Sequence, residues 1–214
     1  MQYTTIVTGP LGENCYLVWE KDLAWIIDPG ADDDEIIQEL NARHLTPACI
    51  VLTHGHFDHL GALDALVKAY PEIPVVMRAE ETEWAFSHAF NQYPPFYMLQ
   101  QKPKQLVTPE GSWSCGGLTA TLIHTPGHTP GGQCLLFESP EVNLCFTGDT
   151  LFTGSIGRTD LPGGSFATLR QSLECLKTTL SDDTTILPGH GPASTMQREK
   201  RTNPYLQSEM EEDF

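Results

Sequence analysis

Four side chains that commonly bind transition metals are crowded into residues 53–59, which read THGHFDH. His54 and His56 are two positions apart, so in an extended segment both side chains point to the same side. Asp58 and His59 follow where a helix is expected to begin, and a helix N-terminus favours an ionised aspartate. Neutral imidazole together with carboxylate suits zinc, iron or manganese. We therefore interpret this stretch as half of a metal site rather than as a polar loop with surface histidines.

Three further polar residues each follow an apolar run and lie beside glycine. They are His128 in TPGHTPGG, Asp149 in TGDT and His190 in LPGHGP. Buried strands end at the edge of a sheet, where loops gather on a rigid scaffold and functional side chains are held in place. We predict that these three residues complete the site that begins in residues 53–59.

The elements that must position these residues form a mixed pattern. Short apolar or β-branched runs bounded by turn residues predict strands at residues 4–8, 15–19, 23–27, 48–53, 74–77, 119–123, 133–137, 143–146 and 184–187. Apolar residues at helical spacing predict helices after Asp32, over residues 60–70 and over 167–180. Asp32 and Glu35 are predicted to form a capping box. Since no linker divides the chain, we predict one α/β domain over residues 1–214.

Charge and composition narrow the class of protein. The chain has 28 acidic and 12 basic residues, a formal net charge of -16, which disfavours nucleic acid and anionic membranes as partners. Its apolar runs are too short to span a bilayer, and its first residues do not resemble a signal peptide, so we expect a cytoplasmic protein. The six cysteines are isolated, which predicts free thiols. The oligomeric state stays open.

The succession HGHFDH, PGHTPG, GDT and GHGP resembles the metallo-β-lactamase superfamily over essentially the whole chain. That resemblance implies an α/β (α+β) fold of four layers, an αβ/βα sandwich. It also implies two divalent metal ions, zinc in the first place and iron or manganese as alternatives. The residues it assigns to one ion are His54, His56 and His128, those it assigns to the other are Asp58, His59 and His190, and Asp149 bridges the two.

The chemistry that the resemblance implies is hydrolysis. Two ions lower the pKa of bound water from about 15.7 to about 7 and stabilise the oxyanion formed at a carbonyl. Asp58 would orient the hydroxide. Residues 148–160, GDTLFTGSIGRTD, resemble the glyoxalase II group, in its short bacterial type, which hydrolyses thioesters such as S-lactoylglutathione. A C-terminal helical domain that holds glutathione is not expected, since 24 residues follow His190.

Other members of the superfamily provide alternatives. Persulfide dioxygenases also carry a GRTD-like stretch and use a single iron, held here by His54, His128 and Asp149, whereas the presence of all seven positions favours a two-ion hydrolase. A lactonase uses the same two-ion chemistry on an oxygen ester. Asp149 stands where many antibiotic-hydrolysing members carry cysteine. A ribonuclease Z needs a surface for RNA, which the acidity disfavours, and the complete ligand set disfavours a non-enzymatic role.

Several residues are left with two interpretations. Arg158 either holds a substrate carboxylate or pairs with Asp160. Asp28 either orients a metal ligand or caps a turn, and His124 ends a strand where a hydrogen bond to a ligand can form. The histidines without a predicted function are His44 and His88. Residues 84–106, rich in aromatic residues and proline, are predicted to leave the core as a long excursion that walls a substrate cleft, forms a dimer contact or packs beneath a loop.

Overall fold

Two six-stranded sheets form the centre of the protein. The computed structural model describes residues 1–86 and 102–207, apart from the side chains of residues 83 and 84. The first sheet has the order β1-β2-β3-β4-β5-β6, antiparallel from β1 to β3 and parallel from β3 onwards. Its strands are β1 (Gln2–Thr8), β2 (Glu13–Glu20), β3 (Leu23–Ile27), β4 (Thr46–Val51), β5 (Val75–Val76) and β6 (Leu106–Val107).

The second sheet has the order β14-β13-β10-β9-β8-β7, in which only β10 and β13 are parallel. Its strands are β7 (Gly111–Cys115), β8 (Leu118–His124), β9 (Gln133–Glu138), β10 (Asn143–Gly148), β13 (Thr185–Pro188) and β14 (Ser194–Thr195). The strands β11 (Leu151–Phe152) and β12 (Ser155–Ile156) form a separate small hairpin. Parallel pairing matters for the site, because it brings the carboxyl ends of β3 and β4, and of β10 and β13, to the same edge.

Helices cover the outer face of each sheet. They are α1 (Asp33–Ala42), α2 (Phe57–Leu60), α3 (Leu63–Ala69), α4 (Ala79–Phe86), α5 (Phe166–Thr179) and α6 (Met196–Thr202), followed by a 3-10 turn at Pro204–Leu206. Helices α1 and α3 bury Leu40 and Leu63 against the first sheet, and α5 buries Leu173 against the second. Between the sheets, Trp25 packs on Phe137 at a centroid distance of 5.1 Å. The predicted four-layered αβ/βα sandwich is confirmed.

Local details differ from the sequence prediction. The capping box at Asp32 is wrong: this residue has a left-handed backbone (φ 54°), and its carboxylate accepts a hydrogen bond from the Gly9 amide at 2.7 Å instead. The helix predicted over 60–70 is divided into α2 and α3. The sequence does not predict the strands β6, β7, β11, β12 and β14 or the helices α4 and α6. Four of these strands have only two residues and so carry no periodic signal.

The excursion predicted over residues 84–106 falls mostly outside the described residues. Helix α4 extends to Phe86 and strand β6 begins at Leu106, while 87–101, including His88, are not described, so the proposed roles of this segment stay predictions. All six cysteines are free, as predicted. Among the described residues, no helix is both long and apolar enough to cross a membrane.

Candidate metal centre

The seven predicted ligands meet at the edge where both sheets present the carboxyl ends of their parallel strands. Residues 54–59 follow β4 in the first sheet, whereas Asp149 and His190 follow β10 and β13 in the second. His128 lies in the loop between β8 and β9. Residues that are far apart in the sequence are therefore brought together by the topology of the sheets.

Three histidines form one group, which we call the three-histidine group: His54, His56 and His128. The Nδ1 atom of His56 lies 3.1 Å from Nε2 of His54 and 2.9 Å from Nε2 of His128. A tetrahedral zinc centre with Zn–N bonds of about 2.0–2.1 Å separates its nitrogens by about 3.3 Å. The three nitrogens thus converge at nearly the spacing that one ion requires.

Asp58, His59 and His190 form a second group, which we call the Asp58 group. The Nε2 atom of His190 lies 3.3 Å from Oδ2 of Asp58, and each of the three residues offers a ligand atom within 4.8 Å of the other two. This group is less buried, since 25% of the His190 side chain and 16% of the Asp58 side chain are exposed. Its donors, two imidazoles and a carboxylate, suit the same metals as the first group.

Asp149 lies between the two groups. Its Oδ2 is 3.5 Å from Nε2 of His128, and its Oδ1 is 3.3 Å from Nε2 of His59 and 3.7 Å from Nε2 of His190. Within the described part of the chain, the buried Oδ1 of Asp149 and Nε2 of His59 have no hydrogen-bond partner. Buried polar atoms are normally paired, so these two atoms are suited to bind a cation. The donor set fits two divalent ions.

Partners behind the ligands fix the tautomers of three histidines. The Nδ1 atom of His59 donates to Oδ2 of Asp28 at 3.0 Å, and Nδ1 of His54 donates to the Thr53 hydroxyl at 3.1 Å. That hydroxyl donates in turn to Oδ2 of Asp28 at 2.6 Å, while Nδ1 of His128 donates to a backbone carbonyl. In the neutral form of each ring, Nε2 then carries the free lone pair that ligation needs. Asp28 therefore bonds both to the ring of His59, a predicted ligand, and to the Thr53 amide at the start of the loop, so both interpretations of Asp28 stay open.

Burial and charge tune the protonation of these groups. Burial lowers the pKa of His54 well below its usual range and lowers the pKa of His56 to about 4. Both imidazoles are therefore neutral near pH 7, which is the form that binds a metal. Burial works against an ionised Asp149, but the positive charge of His59 holds the pKa of the Asp149 carboxyl well below its usual value.

Several supporting residues gave no recognisable signal in the sequence. Glu81, fully buried in α4, accepts hydrogen bonds from the amides of Gly55 and Gly131 at 2.7 and 2.6 Å. Asn14, in β2, donates from Nδ2 to the carbonyls of Pro188 and Gly191 at 3.0 and 2.9 Å and so holds the loop of His190. These pairings join residues 26 to 177 positions apart, which spacing along the sequence does not reveal.

The remaining predicted residues lie around the site. The Arg158 side chain donates two 2.7 Å hydrogen bonds to Asp160, and both side chains are largely exposed. The backbone carbonyl of Arg158 accepts the hydrogen bond from His128 Nδ1. His124 ends β8 but is exposed, and its Nε2 faces the Pro130 carbonyl at 3.1 Å rather than a predicted ligand. His44 is exposed, in the loop between α1 and β4. A substrate role for Arg158 stays a prediction.

A metal-binding hydrolase of the αβ/βα type is the class that this fold and donor set define. The family model of the metallo-beta-lactamase superfamily matches residues 8–190. The chain therefore belongs to the metallo-β-lactamase superfamily and is a metallo-hydrolase of that family. The probable metallo-hydrolase YqgX of Bacillus subtilis is 34% identical over 209 residues, which cover 96% of this chain and 98% of that protein.

A second relative and three solved structures extend the comparison. The hydroxyacylglutathione hydrolase GloC of Haemophilus influenzae is 36% identical over 92% of this chain and 93% of its own. The structure of BLEG-1, a B3 metallo-β-lactamase, has a TM-score of 0.88 and 35% identity over 96% of this chain and 99% of that one. TTHA1623 in a di-iron-bound form has a TM-score of 0.79 and 36% identity over 95% and 100%. ETHE1 from Myxococcus xanthus has a TM-score of 0.78 and 26% identity over 95% and 84%.

Proposed function

We propose that this chain is a two-ion hydrolase of the hydroxyacylglutathione hydrolase type, which cleaves thioesters like S-lactoylglutathione. The observation that carries the proposal is the position of Asp149, which directs one carboxylate oxygen at each ligand group. The similarity to GloC supports the thioester class. We propose zinc for both ions, with iron or manganese as alternatives; the di-iron-bound neighbour supports iron among them.

The chemistry divides between the ions and the chain. Bound divalent ions make hydroxide available near neutral pH and stabilise negative charge on a carbonyl oxygen. Asp58 orients the attacking oxygen by accepting its hydrogen bond. Burial raises the pKa of Asp58, but the hydrogen bond with His190 outweighs burial and holds the pKa below its usual value, so the carboxylate is ionised at neutral pH and can accept the hydrogen bond from the attacking oxygen.

The wider setting follows from charge and sequence. We propose a small acyl or thioester compound as the only substrate class, no nucleic-acid or membrane partner, and a cytoplasmic location, in keeping with the net charge of -16. A single domain over residues 1–214 belongs to the same proposal. Arg158, exposed beside the loop of His128, is the residue we assign to a carboxylate of the substrate.

A persulfide dioxygenase is the second candidate. The likeness to ETHE1 and the GRTD stretch at 157–160 favour it. Such an enzyme would use one iron on His54, His128 and Asp149, so the Asp58 group would have no part in the reaction. The two candidates therefore differ in the expected effect of His190→Ala: hydrolysis needs His190, whereas the dioxygenase reaction does not.

The experiment combines metal analysis with two activity assays. Protein purified without added metal is analysed for zinc, iron and manganese and is tested anaerobically on S-lactoylglutathione, then for oxygen uptake with glutathione persulfide. Two ions per chain with thioester hydrolysis that is lost in His190→Ala are expected. One iron per chain with oxygen uptake that survives in His190→Ala would overturn the hydrolase. A lactone and a β-lactam, the latter because of the likeness to BLEG-1, complete the substrate panel.

A further inference from the structure

Glu81 is a buried carboxylate that the proposed reaction does not use. It lies in the first turn of α4 and has no exposed surface. Burying an ionisable group is costly unless its oxygens are hydrogen bonded. Both of its oxygens are engaged: Oε2 accepts from the Gly55 amide at 2.7 Å and Oε1 from the Gly131 amide at 2.6 Å.

These two amides belong to the two loops that carry the three-histidine group. Gly55 lies between His54 and His56, and Gly131 lies three residues after His128. The loops are 76 residues apart in the sequence, from 55 to 131, yet one carboxylate bonds to both. Burial raises the pKa of the Glu81 carboxyl, while the hydrogen bonds from Gly131 and Gly55 work in the other direction. Both bonds are short, as is typical of charge-assisted hydrogen bonds, and together they fix the separation of the loops.

The glycines show how closely the carboxylate approaches the backbone. A Cβ atom at Gly55 would lie 2.9 Å from Oε2 of Glu81, and one at Gly131 would lie 2.8 Å from its Cγ. Neither distance leaves room for a side chain without displacement of the carboxylate or the loop. The contact requires glycine on both sides, as expected where a side chain fixes two backbone segments.

We propose that Glu81 is a positioning residue that holds the histidines of the three-histidine group at the spacing one metal ion requires. The proposal rests on the proposed two-ion function but concerns the geometry of one half of the site alone. The hydrogen bond of Glu81 to the loop that carries Asp58 and His59 is made at Gly55, at the start of that loop and between His54 and His56. Removal of the Glu81 carboxylate is therefore expected to weaken the binding of an ion by the three-histidine group and not by the Asp58 group.

The test uses Glu81→Gln, which keeps the size of the side chain. An amide offers only one acceptor oxygen, so its NH2 group faces one of the two backbone amides and that hydrogen bond is lost. The ion affinity is measured by competition with a chromophoric zinc chelator in two backgrounds. His190→Ala leaves the three-histidine group intact, and His128→Ala leaves the Asp58 group intact.

In the His190→Ala background, Glu81→Gln is expected to lower zinc affinity about 10–100-fold, the usual effect of losing a partner behind the ligands. In the His128→Ala background the same change should have no effect. Glu80→Gln is the matched control, because the neighbouring Glu80 is exposed and pairs with Arg78 at 2.9 Å. Equal affinity with and without Glu81→Gln in the first background, or an equal loss in both, would overturn the proposal.

A second measurement tests the proposal without any substitution, in case Glu81→Gln does not fold. In the unaltered protein, hydrogen exchange of the Gly55 and Gly131 amides is compared before and after zinc is removed with a chelator. Slower exchange of both amides with zinc bound supports the proposal, and exchange that is independent of zinc contradicts it. Neither measurement needs a substrate. A failure of the proposed thioester hydrolysis would therefore appear separately, as zinc-loaded protein that is inactive on S-lactoylglutathione.

Discussion

The two ligand groups of this site are built differently. In the three-histidine group, His54 and His128 are only 2% and 4% exposed, and Glu81 ties their loops together. In the Asp58 group a quarter of the His190 side chain is exposed. His56 is partly buried and His59 fully buried, so the two groups differ in degree. The more buried group is suited to retention of an ion, and the more open group to admitting a substrate. We infer that ions bind first and more tightly at the three-histidine group.

The largest effect on both ligand groups is expected from removing Asp149, the residue that lies between them. Asp149→Ala should lose ions from both groups and turnover with them, by more than the about 100-fold loss expected for a partner behind the ligands. Metal analysis and hydrolysis of S-lactoylglutathione provide the measurements. Asp34→Ala, on the exposed face of α1, should be unchanged. Full activity of Asp149→Ala would rule out its bridging position.

Asp28→Asn tests whether one residue supports both groups. The Asp28 carboxylate accepts hydrogen bonds from His59 and Thr53, and an amide would direct an NH2 group at one of these donors. Zinc affinity should fall about 10–100-fold in each group, measured by chelator competition in the His190→Ala and His128→Ala backgrounds. Glu81→Gln, which should affect one background only, is the comparison. An effect of Asp28→Asn confined to one background would contradict a shared role.

Asn14→Ala tests how the more exposed Asp58 group is held in place. Its Nδ2 donates to the carbonyls of Pro188 and Gly191 on either side of His190. Loss of these bonds should lower the free energy of unfolding by about 2 kcal/mol, because partly buried carbonyls lose their donors. Urea denaturation measures this, with Asn143→Ala as the control, whose exposed amide makes a 3.4 Å contact. An unaltered midpoint would show that the His190 loop does not depend on Asn14.

Arg158→Ala should give the smallest effect. Its ion pair with Asp160 is exposed, and such pairs contribute little to stability. If Arg158 holds a carboxylate of the substrate, KM for S-lactoylglutathione should rise about tenfold, which corresponds to about 1.4 kcal/mol, with kcat unchanged. Steady-state kinetics decide this, with the exposed Arg170→Ala on α5 as the control. An unchanged KM would rule out this substrate role for Arg158.

The sequence predicts the fold class and the grouping of the seven candidate ligands better than the network behind them. His54, His56, Asp58 and His59 are adjacent in the chain, so their residue types alone indicate a metal site. Glu81 could not be identified in the same way, because its partners are set by tertiary packing. Asp32 shows the opposite case, in which a local pattern predicts a capping box that the structure does not contain. The Asp32 carboxylate bonds instead to the amide of Gly9, which is distant in the sequence.

The edge at which the ligands meet also has a consequence for folding kinetics. The first sheet supplies residues 54–59 and the second supplies Asp149 and His190. Ions bound by residues of both sheets would therefore cross-link the two sheets. Contacts between such distant parts of a chain form late in folding. Interactions absent from the transition state slow unfolding and leave the folding rate nearly unchanged. We expect metal loading to lengthen the lifetime of the native state far more than it speeds its formation.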